Sequence, residues 1–219
     1  DGKFDVFYLN KIEAKPFSFH FLYERVSCFC LSQSYGVIVI GTVNGFIYIV
    51  DSKSGLISFR CSVLDKNGFS EKVEGENDSN DLANSSSSSN QLFESSASYF
   101  RDGKIPKKIL ITDGFGFIVV YCDDLSVFVF NINGALIRKR KLNFSVKILF
   151  SFKSNSGFDF IVAADSKGGI RFCEAFYLDF DESPIYICRS EILSISYDLP
   201  YDAILVVTKN GGFFRIPTN

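Results

Sequence analysis

Apolar residues in this chain come in runs of roughly five to eight, separated by short turn sequences rich in Gly, Asn and Asp. The clearest case has "VIVI" (37–40) before and "FIYIV" (46–50) after the pair Asn44-Gly45. An Asn-Gly pair between apolar runs predicts a β-hairpin whose two central turn residues have positive φ. The pattern therefore predicts strands on both sides of this turn.

The same turn-and-strand pattern recurs along the chain at a fixed interval. Successive markers are 43 residues apart, except for one step of 80 residues between the second and the third. The markers are Asp1, Asn44, Asp124, Lys167 and Asn210. The long step contains a Ser-, Asn- and Glu-rich tract with few apolar residues, and removing about 37 residues restores the period. We predict that residues 65–104 form a mobile insertion inside a repeat array.

Each unit contains up to four apolar runs in the same order. Four strands in about 43 residues is typical of a β-propeller blade. The sequence therefore predicts an all-β, WD40-like β-propeller of four-stranded antiparallel blades, here a partial propeller with about four blades' worth of strands. The predicted blades are 26–64, 105–143 and 144–190, with partial blades at 1–25 and 191–219. Because both partial blades supply a third strand, we expect the chain to be a piece of a larger propeller.

The third strand of a WD40 blade often ends in Trp-Asp, and Val50-Asp51 occupies that place in the first hairpin. The other units carry only apolar residues at the Trp position, namely Phe7, Phe130, Cys173 and Ile216. With no Trp and one His in the chain, the Trp, His and Asp hydrogen-bonded set that braces many blades cannot recur. We therefore expect these blades to be held together by apolar packing.

Composition agrees with a folded domain. The 219 residues are 47% hydrophobic and include 25 Phe, which is ample for a buried core. The net charge of -2 encodes no general attraction to nucleic acid. The apolar runs are strand-sized and far shorter than the ~20 residues that span a bilayer. The N-terminus lacks a signal-peptide pattern, and the six cysteines fit packed free thiols, so we expect an intracellular protein.

Few residues suggest catalysis or metal binding. His20 is the only His, so it lacks a second imidazole for a metal or relay site. Cys28 and Cys30 share one strand face, but no further ligands have matching spacing, and core packing is the favoured interpretation. The carboxylates Asp179, Asp181 and Glu182 lie in an irregular segment and are interpreted as loop solvation. We predict no enzyme activity, catalytic residue, cofactor or metal.

Two glycine-rich sequences, 113–117 and 167–169, are interpreted as turns because neither completes a dinucleotide-binding fingerprint or precedes a helix. The sequence "IRKRKL" (137–142) carries four successive cations: Arg138, Lys139, Arg140 and Lys141. Four cations are sufficient for a phosphate contact or an anionic membrane patch. A solvated outer strand is the favoured interpretation, because side chains alternate faces and only half of them can point the same way.

Three stretches resemble the C-terminal WD40 region of BEACH-domain proteins, the neurobeachin and lysosomal-trafficking-regulator family. They are "ITDGFGFIVVYCDDLSVFVFNINGALIRK" (111–139), "SGFDFIVAADSKGGIRFCEAFYLD" (156–179) and "VSCFCLSQSYGVIVIGTVNGFIYIVDSKSGLI" (26–57). The shared features are a Gly-aromatic-Gly-Phe-Ile-Val strand, an Asn-Ile-Asn-Gly turn and a later Asp-Phe strand, in this order. The BEACH domain itself is absent from the sequence.

The resemblance implies a non-enzymatic, cytoplasmic protein-protein interaction scaffold in vesicle trafficking, endosome-lysosome biology or autophagy, peripheral to vesicle or endosome membranes. It implies two kinds of partner: other proteins docked on the propeller faces, and the N-terminal BEACH domain of the same full-length chain. A phosphoinositide- or membrane-binding propeller is the alternative. A propeller hydrolase is a weaker alternative, because the predicted first strands of the blades contain no carboxylate.

Overall fold

A computed structural model describes residues 3–6, 17–20, 24–63 and 104–218 of the chain. The predicted insertion, residues 65–104, lies outside the described residues except for its last position. The regular secondary structure of these residues is almost entirely β-strand, as the alternating apolar pattern predicts.

Seventeen β-strands and one short 3-10 helix, Leu199–Tyr201, are found in the described residues. In chain order the strands are β1 (Lys3–Val6), β2 (Phe17–His20), β3 (Val26–Ser32), β4 (Val37–Thr42), β5 (Phe46–Asp51), β6 (Ile57–Ser62), β7 (Pro106–Ile111), β8 (Ile118–Cys122), β9 (Ser126–Phe130), β10 (Leu136–Lys141), β11 (Ile148–Lys153), β12 (Asp159–Ala164), β13 (Gly169–Glu174), β14 (Tyr186–Ile187), β15 (Ile192–Asp198), β16 (Ala203–Thr208) and β17 (Phe213–Pro217). Most start or stop within two residues of the apolar runs in the sequence.

The strands form separate antiparallel sheets in which chain neighbours are also sheet neighbours. The first sheet is β3-β4-β5-β6, the second is β7-β8-β9-β10 and the third is β11-β12-β13-β14. A fourth sheet contains β15-β16-β17, and β1 pairs with β2. Repeated four-stranded meanders of this kind are the blades of a propeller, so the fold class predicted from sequence is confirmed.

The turn that marks the period has one conformation in all four sheets. Its last residue has positive φ and donates its N–H to the carbonyl oxygen three residues earlier, at 3.0 to 3.3 Å. These residues are Gly45, Leu125, Gly168 and Gly211. The prediction that Asn44 also has positive φ is wrong, since only Gly45 of that pair does. The hairpin therefore has a three-residue loop whose last residue is left-handed. The residue before it needs no positive φ and can be of any type.

Adjacent sheets pack face to face through alternate side chains of their strands. In β8, Val119 and Tyr121 join the core shared with the third sheet, whereas Ile118 and Val120 join the core shared with the first sheet. Phe128 of β9 is fully buried in the latter core. Burying a side chain of this size contributes about 1.5–3 kcal/mol, so these two-sided strands provide much of the stability.

The position that holds Trp in WD40 blades is apolar and buried wherever the structure describes it: Val50, Phe130, Cys173 and Ile216. Phe7 lies outside the described residues. The polar residue that follows has a separate role in the first two sheets. The Oδ1 atoms of Asp51 and Asn131 accept backbone N–H groups of the next turn, at 2.6–3.0 Å and 2.9–3.0 Å respectively. The Trp position therefore packs the core, and the residue after it caps a turn.

The outer face of the fourth sheet is more exposed than the cores between sheets. Phe213 is 65% exposed, and its neighbour across the strands, Val207, is also exposed. In the described part of the chain no fourth strand pairs with β17.

Candidate interaction surface

A buried carboxylate joins the second and third sheets at the end where their first and second strands connect. Asp159, the first residue of β12, is only 1% exposed. Its Oδ2 accepts a hydrogen bond from Thr112 Oγ1 at 2.7 Å and another from the backbone N–H of Phe115 at 2.7 Å. Its Oδ1 accepts the backbone N–H of Gly114 at 2.9 Å. A buried carboxylate needs such donors, and here they come from the neighbouring blade.

The turn 113–116 is shaped to deliver these donors. Thr112 Oγ1, which donates to Asp159, also accepts the backbone N–H of Phe117 at 3.0 Å, so the hydroxyl closes the turn. A Cβ atom on Gly114 would lie 2.5 Å from Asp159 Oδ1. The close approach of backbone to carboxylate therefore requires glycine. We call the contacts of Thr112, Gly114 and Phe115 with Asp159 the Asp159 latch.

Tyr35 connects the first sheet to the same turn. Its hydroxyl donates to the carbonyl oxygen of Gly114 at 2.7 Å. Gly116 has a φ of 69°, and a Cβ on it would lie 2.8 Å from the Tyr35 ring. Burial, together with the nearby carboxylates Asp159 and Asp113, raises the pKa of Tyr35, so the hydroxyl keeps its proton as a donor. Three successive blades are thus joined at one end by polar contacts.

Next to the latch, four aromatic side chains form a continuous row across the second and third sheets. Phe115 stacks on Phe117 with ring centroids 5.6 Å apart, and Phe117 lies 6.2 Å from Phe176. Tyr177 meets Phe176 edge-on at 5.3 Å. The Arg138 guanidinium lies 5.7 Å from the Phe176 ring centre. We call Phe115, Phe117, Phe176, Tyr177 and Arg138 the aromatic row.

Three rings of the aromatic row are open to solvent. Phe115 and Tyr177 are each 59% exposed and Phe176 is 42% exposed, whereas Phe117 is half-buried against the core. Adjacent exposed aromatic rings are uncommon on monomer surfaces and mark interaction sites. The backbone of Phe115 is fixed by the latch, and the carbonyl oxygen of Phe176 accepts Arg138 Nε at 3.4 Å. The row is therefore an exposed aromatic surface on an anchored backbone.

The four cations considered as an anion or lipid patch have side chains that alternate between the two faces of β10. Arg140 forms an ion pair with Asp179, and its Nη1 also donates to the carbonyl oxygen of Leu178 at 3.1 Å. Arg138 lies on the same side and contacts Phe176. Asp179, interpreted from sequence as loop solvation, is thus also an ion-pair partner. The anion-binding role of the patch stays a prediction.

The two lysines of the patch alternate with the arginines. Lys139 Nζ lies 5.2 Å from the ring centre of Phe128, which belongs to the core shared with the first sheet. Desolvation, followed by the charge of Lys104, lowers the pKa of Lys139. Lys141 is exposed. The structure therefore brings Arg138 and Arg140 together and separates them from Lys139.

The described residues contain no group of three or more His, Cys, Asp or Glu side chains arranged to hold a metal ion. Cys28 and Cys30 are half-buried free thiols, and burial raises the pKa of both. The side chain of His20 lies outside the described residues. No helix in the described ranges is long and apolar enough to cross a bilayer.

Sequence reasoning missed the Asp159 latch and expected apolar packing alone to hold the blades together. The available signal was a single carboxylate at the head of the apolar strand "DFIVAA" (159–164), opposite a glycine-rich turn. The aromatic row was missed for another reason. Phe115 and Phe176 are far apart in sequence and belong to different sheets, so no local pattern places them side by side.

No protein-family profile and no curated protein matches the sequence at a significant level. Solved structures do resemble it. The Cps50 (Swd1) β-propeller domain of Myceliophteria thermophila aligns with a TM-score of 0.51 and 14% identity, over 88% of this chain and 53% of that chain. The chain has the β-propeller fold.

Two further propeller structures resemble the chain at still lower identity. BamB from Moraxella catarrhalis aligns with a TM-score of 0.54 and 10% identity, over 98% of this chain and 55% of that one. BBS1N, solved in complex with ARL6DN, aligns with a TM-score of 0.54 and 10% identity, over 93% of this chain and 56% of that one. The chain spans slightly more than half the length of these three structures. At such identities the likeness concerns the fold.

Proposed function

We propose that the protein is a non-enzymatic interaction scaffold that binds a protein partner through the aromatic row. The observation that carries this proposal is the exposure of Phe115, Phe176 and Tyr177, with the backbone of Phe115 fixed by the Asp159 latch and that of Phe176 bound by Arg138. In protein interfaces a few residues contribute most of the binding energy, and aromatic and arginine side chains are enriched among them. A backbone that is already fixed loses little conformational entropy when a partner docks.

The wider cellular role follows the resemblance to BEACH-domain proteins. We propose that the propeller belongs to a BEACH-type protein of vesicle traffic, endosome-lysosome biology or autophagy, acts in the cytoplasm, and packs against an N-terminal BEACH domain of the full-length chain. Among structural neighbours, BBS1N in complex with ARL6DN is a precedent for a protein partner on this architecture. The partner of this chain need not be similar.

The hydrolase alternative receives little support from the site residues. Glycoside hydrolysis uses a pair of carboxylates held across a cleft. On the described first strands β3, β7, β11 and β15 the sole carboxylate is Asp198, at the end of β15. This supports binding over hydrolysis as the function of the propeller.

Affinity capture from cytosol with the intact protein tests the scaffold function. Wild type is compared with the double variant Phe115→Ala/Tyr177→Ala and with Phe213→Ala, which removes a similarly exposed ring from the fourth sheet. We expect wild type and Phe213→Ala to retain the same proteins and the double variant to lose them. The proposal would be contradicted if wild type reproducibly retained no protein, or if the double variant retained the same proteins as wild type.

Binding to anionic phospholipid is a second candidate function, favoured by one observation. Among the described residues, no carboxylate lies within salt-bridge distance of Arg138, Lys139 or Lys141. Flotation with phosphoinositide-containing vesicles compares wild type with the variant that has alanine at Arg138, Lys139, Arg140 and Lys141. Flotation of wild type but not of the variant would establish the lipid function, and flotation of neither would eliminate it.

A further inference from the structure

We infer that the ligand of the aromatic row is a short acidic linear peptide, in which a carboxylate stands next to a bulky apolar side chain. This inference rests on the proposed scaffold function and specifies the chemistry of its partner. It assigns the carboxylate to Arg138 and the apolar side chain to the exposed rings of Phe115 and Tyr177.

Arg138 is the charged residue of the row, lies beside Phe176 and is open to a ligand. Its Nε donates to the carbonyl oxygen of Phe176, and no other acceptor in the described part of the chain lies within hydrogen-bond distance of the guanidinium. Arg140, two residues along β10, is instead occupied by Asp179 and the carbonyl oxygen of Leu178. A guanidinium held over an aromatic ring can still bind a carboxylate through its two terminal nitrogens.

The length of the row suits a short extended segment. The three centroid distances from Phe115 through Phe117 and Phe176 to Tyr177 give a span of at most about 17 Å. An extended chain covers about 3.3 Å per residue, so roughly five residues reach from one end to the other. The Tyr177 hydroxyl supplies a donor for a peptide carbonyl, and the rings supply apolar surface.

Other modes of recognition fit this surface less well. The rings stand on residues 113–117 and 175–177, outside the strands, so a peptide docked on them would not pair with a strand edge as β-augmentation requires. A broad anionic membrane would bring negative charge against the exposed Asp113, which lies in the same turn as Phe115. A peptide can instead place one carboxylate opposite Arg138 alone. Charge complementarity thus favours a peptide with a localised negative charge.

The test begins with a displayed random 12-residue peptide library selected on the intact protein. Selected peptides are synthesised with a fluorophore, both as selected and with Asp and Glu changed to Asn and Gln, and anisotropy gives their dissociation constants. The protein variants are Arg138→Glu, Phe115→Ala/Tyr177→Ala and the control Lys167→Glu. Lys167 is an exposed lysine in the turn between β12 and β13, so its reversal makes the same change of charge elsewhere.

We expect the selected peptides to combine an acidic residue with an adjacent aromatic residue or leucine. Arg138→Glu and the amide peptides should each weaken binding at least tenfold, the double variant should abolish it, and Lys167→Glu should leave it unchanged. Affinity should fall as salt rises, because one ion pair is exposed to solvent. Thermal unfolding of each variant checks that the fold is intact.

Two outcomes would overturn the inference while separating it from the scaffold function. Peptides that need Phe115 and Tyr177 but ignore Arg138→Glu and salt would leave the aromatic docking surface standing and remove the acidic ligand. Binding of phosphatidylserine vesicles that Arg138→Glu abolishes, with no selected peptide dependent on the row, would assign the surface to a membrane. If, in addition, the double variant retains the same proteins as wild type in affinity capture, the scaffold function is wrong as well.

Discussion

The carboxylate of Asp159 satisfies three donors of the neighbouring blade while almost fully buried. In a low-dielectric interior such charge-assisted hydrogen bonds are strong, and leaving any one donor unpaired is costly. The same carboxylate fixes the backbone of Phe115, the first ring of the aromatic row. A buried polar residue thereby fixes the position of an exposed side chain.

Replacing Asp159 with Asn should lower the free energy of unfolding by about 3 kcal/mol. The amide keeps one acceptor oxygen, so at least one of the donors from Thr112, Gly114 and Phe115 loses its buried partner, and the charge that strengthens the others is gone. Urea unfolding followed by circular dichroism measures the change.

The matched control is Asp113→Asn, which makes the same chemical change on an exposed carboxylate of the same turn. We expect it to shift stability by less than about 0.5 kcal/mol. Equal effects of the two substitutions would show that the latch does not stabilise the fold.

The turns that connect first and second strands are hydrogen-bonded from blade to blade, whereas the strands of different blades pack together without forming a shared sheet. Tyr35 of the first sheet holds the carbonyl oxygen of Gly114, whose N–H binds Asp159 of the third sheet. Hydrogen bonds of this type couple the sheets at one end, in addition to the apolar cores between them. The turn 113–116 is the common element and should be unusually rigid for a surface loop.

Replacing Tyr35 with Phe removes the link between the first sheet and this turn while keeping the ring over Gly116. We expect stability to fall by about 1 kcal/mol, and the amide hydrogens of residues 114 and 115 to exchange faster in native-state hydrogen exchange. Tyr201→Phe is the control, because Tyr201 is exposed and the substitution keeps its ring under the Arg215 guanidinium. Unchanged protection of residues 114 and 115 in Tyr35→Phe would contradict the proposed coupling.

The strands and their period could be predicted from sequence because a hairpin is local. The Asn44-Gly45 turn and its counterparts need only neighbouring residues to form, and the apolar runs beside them identify the strands. The latch could not be predicted this way, since Asp159 and Gly114 are 45 residues apart and Tyr35 and Gly114 are 79 apart. The aromatic row likewise depends on how two sheets pack, which the hydrophobic pattern does not specify.

In the described residues, hydrogen bonds lower the pKa of some carboxyl groups, whereas burial raises the pKa of some thiols and phenols. Hydrogen bonds lower the pKa of Asp51 through the Ser54 backbone, and that of Glu191 through Lys147. Burial raises the pKa of Cys61 to about 12, and burial with the Asp202 contact raises that of Tyr197 to about 12. These shifts favour charged carboxylates and neutral thiols and phenols in the folded state.

Stability should therefore be greatest between about pH 5 and pH 8. Below this range the unfolded carboxyls bind protons before the folded ones do, so stability falls as pH drops through the lowered folded pKa values. Above it the unfolded thiols ionise near pH 8.5 and the unfolded tyrosines near pH 10, while the folded groups resist, so stability falls as pH rises. Urea midpoints from pH 3 to pH 12 measure this profile.

Tyr197→Phe is the control for the alkaline side, because it removes one of the groups with a raised pKa. Its urea midpoint should fall less than that of wild type between pH 10 and pH 12. A wild-type midpoint that stays level or rises above pH 9 would contradict the assignment of these shifts.

Site-specific photo-crosslinking tests the central claim, that the aromatic row is the docking surface, most directly. The intact protein carries p-benzoylphenylalanine at Phe115 or, as a control, at Phe213, and is irradiated in cytosol before mass spectrometry of the adducts. The row predicts a discrete crosslinked partner from position 115 that is absent from position 213 and suppressed by Arg138→Glu. Identical adducts from both positions, or none from position 115, would contradict it.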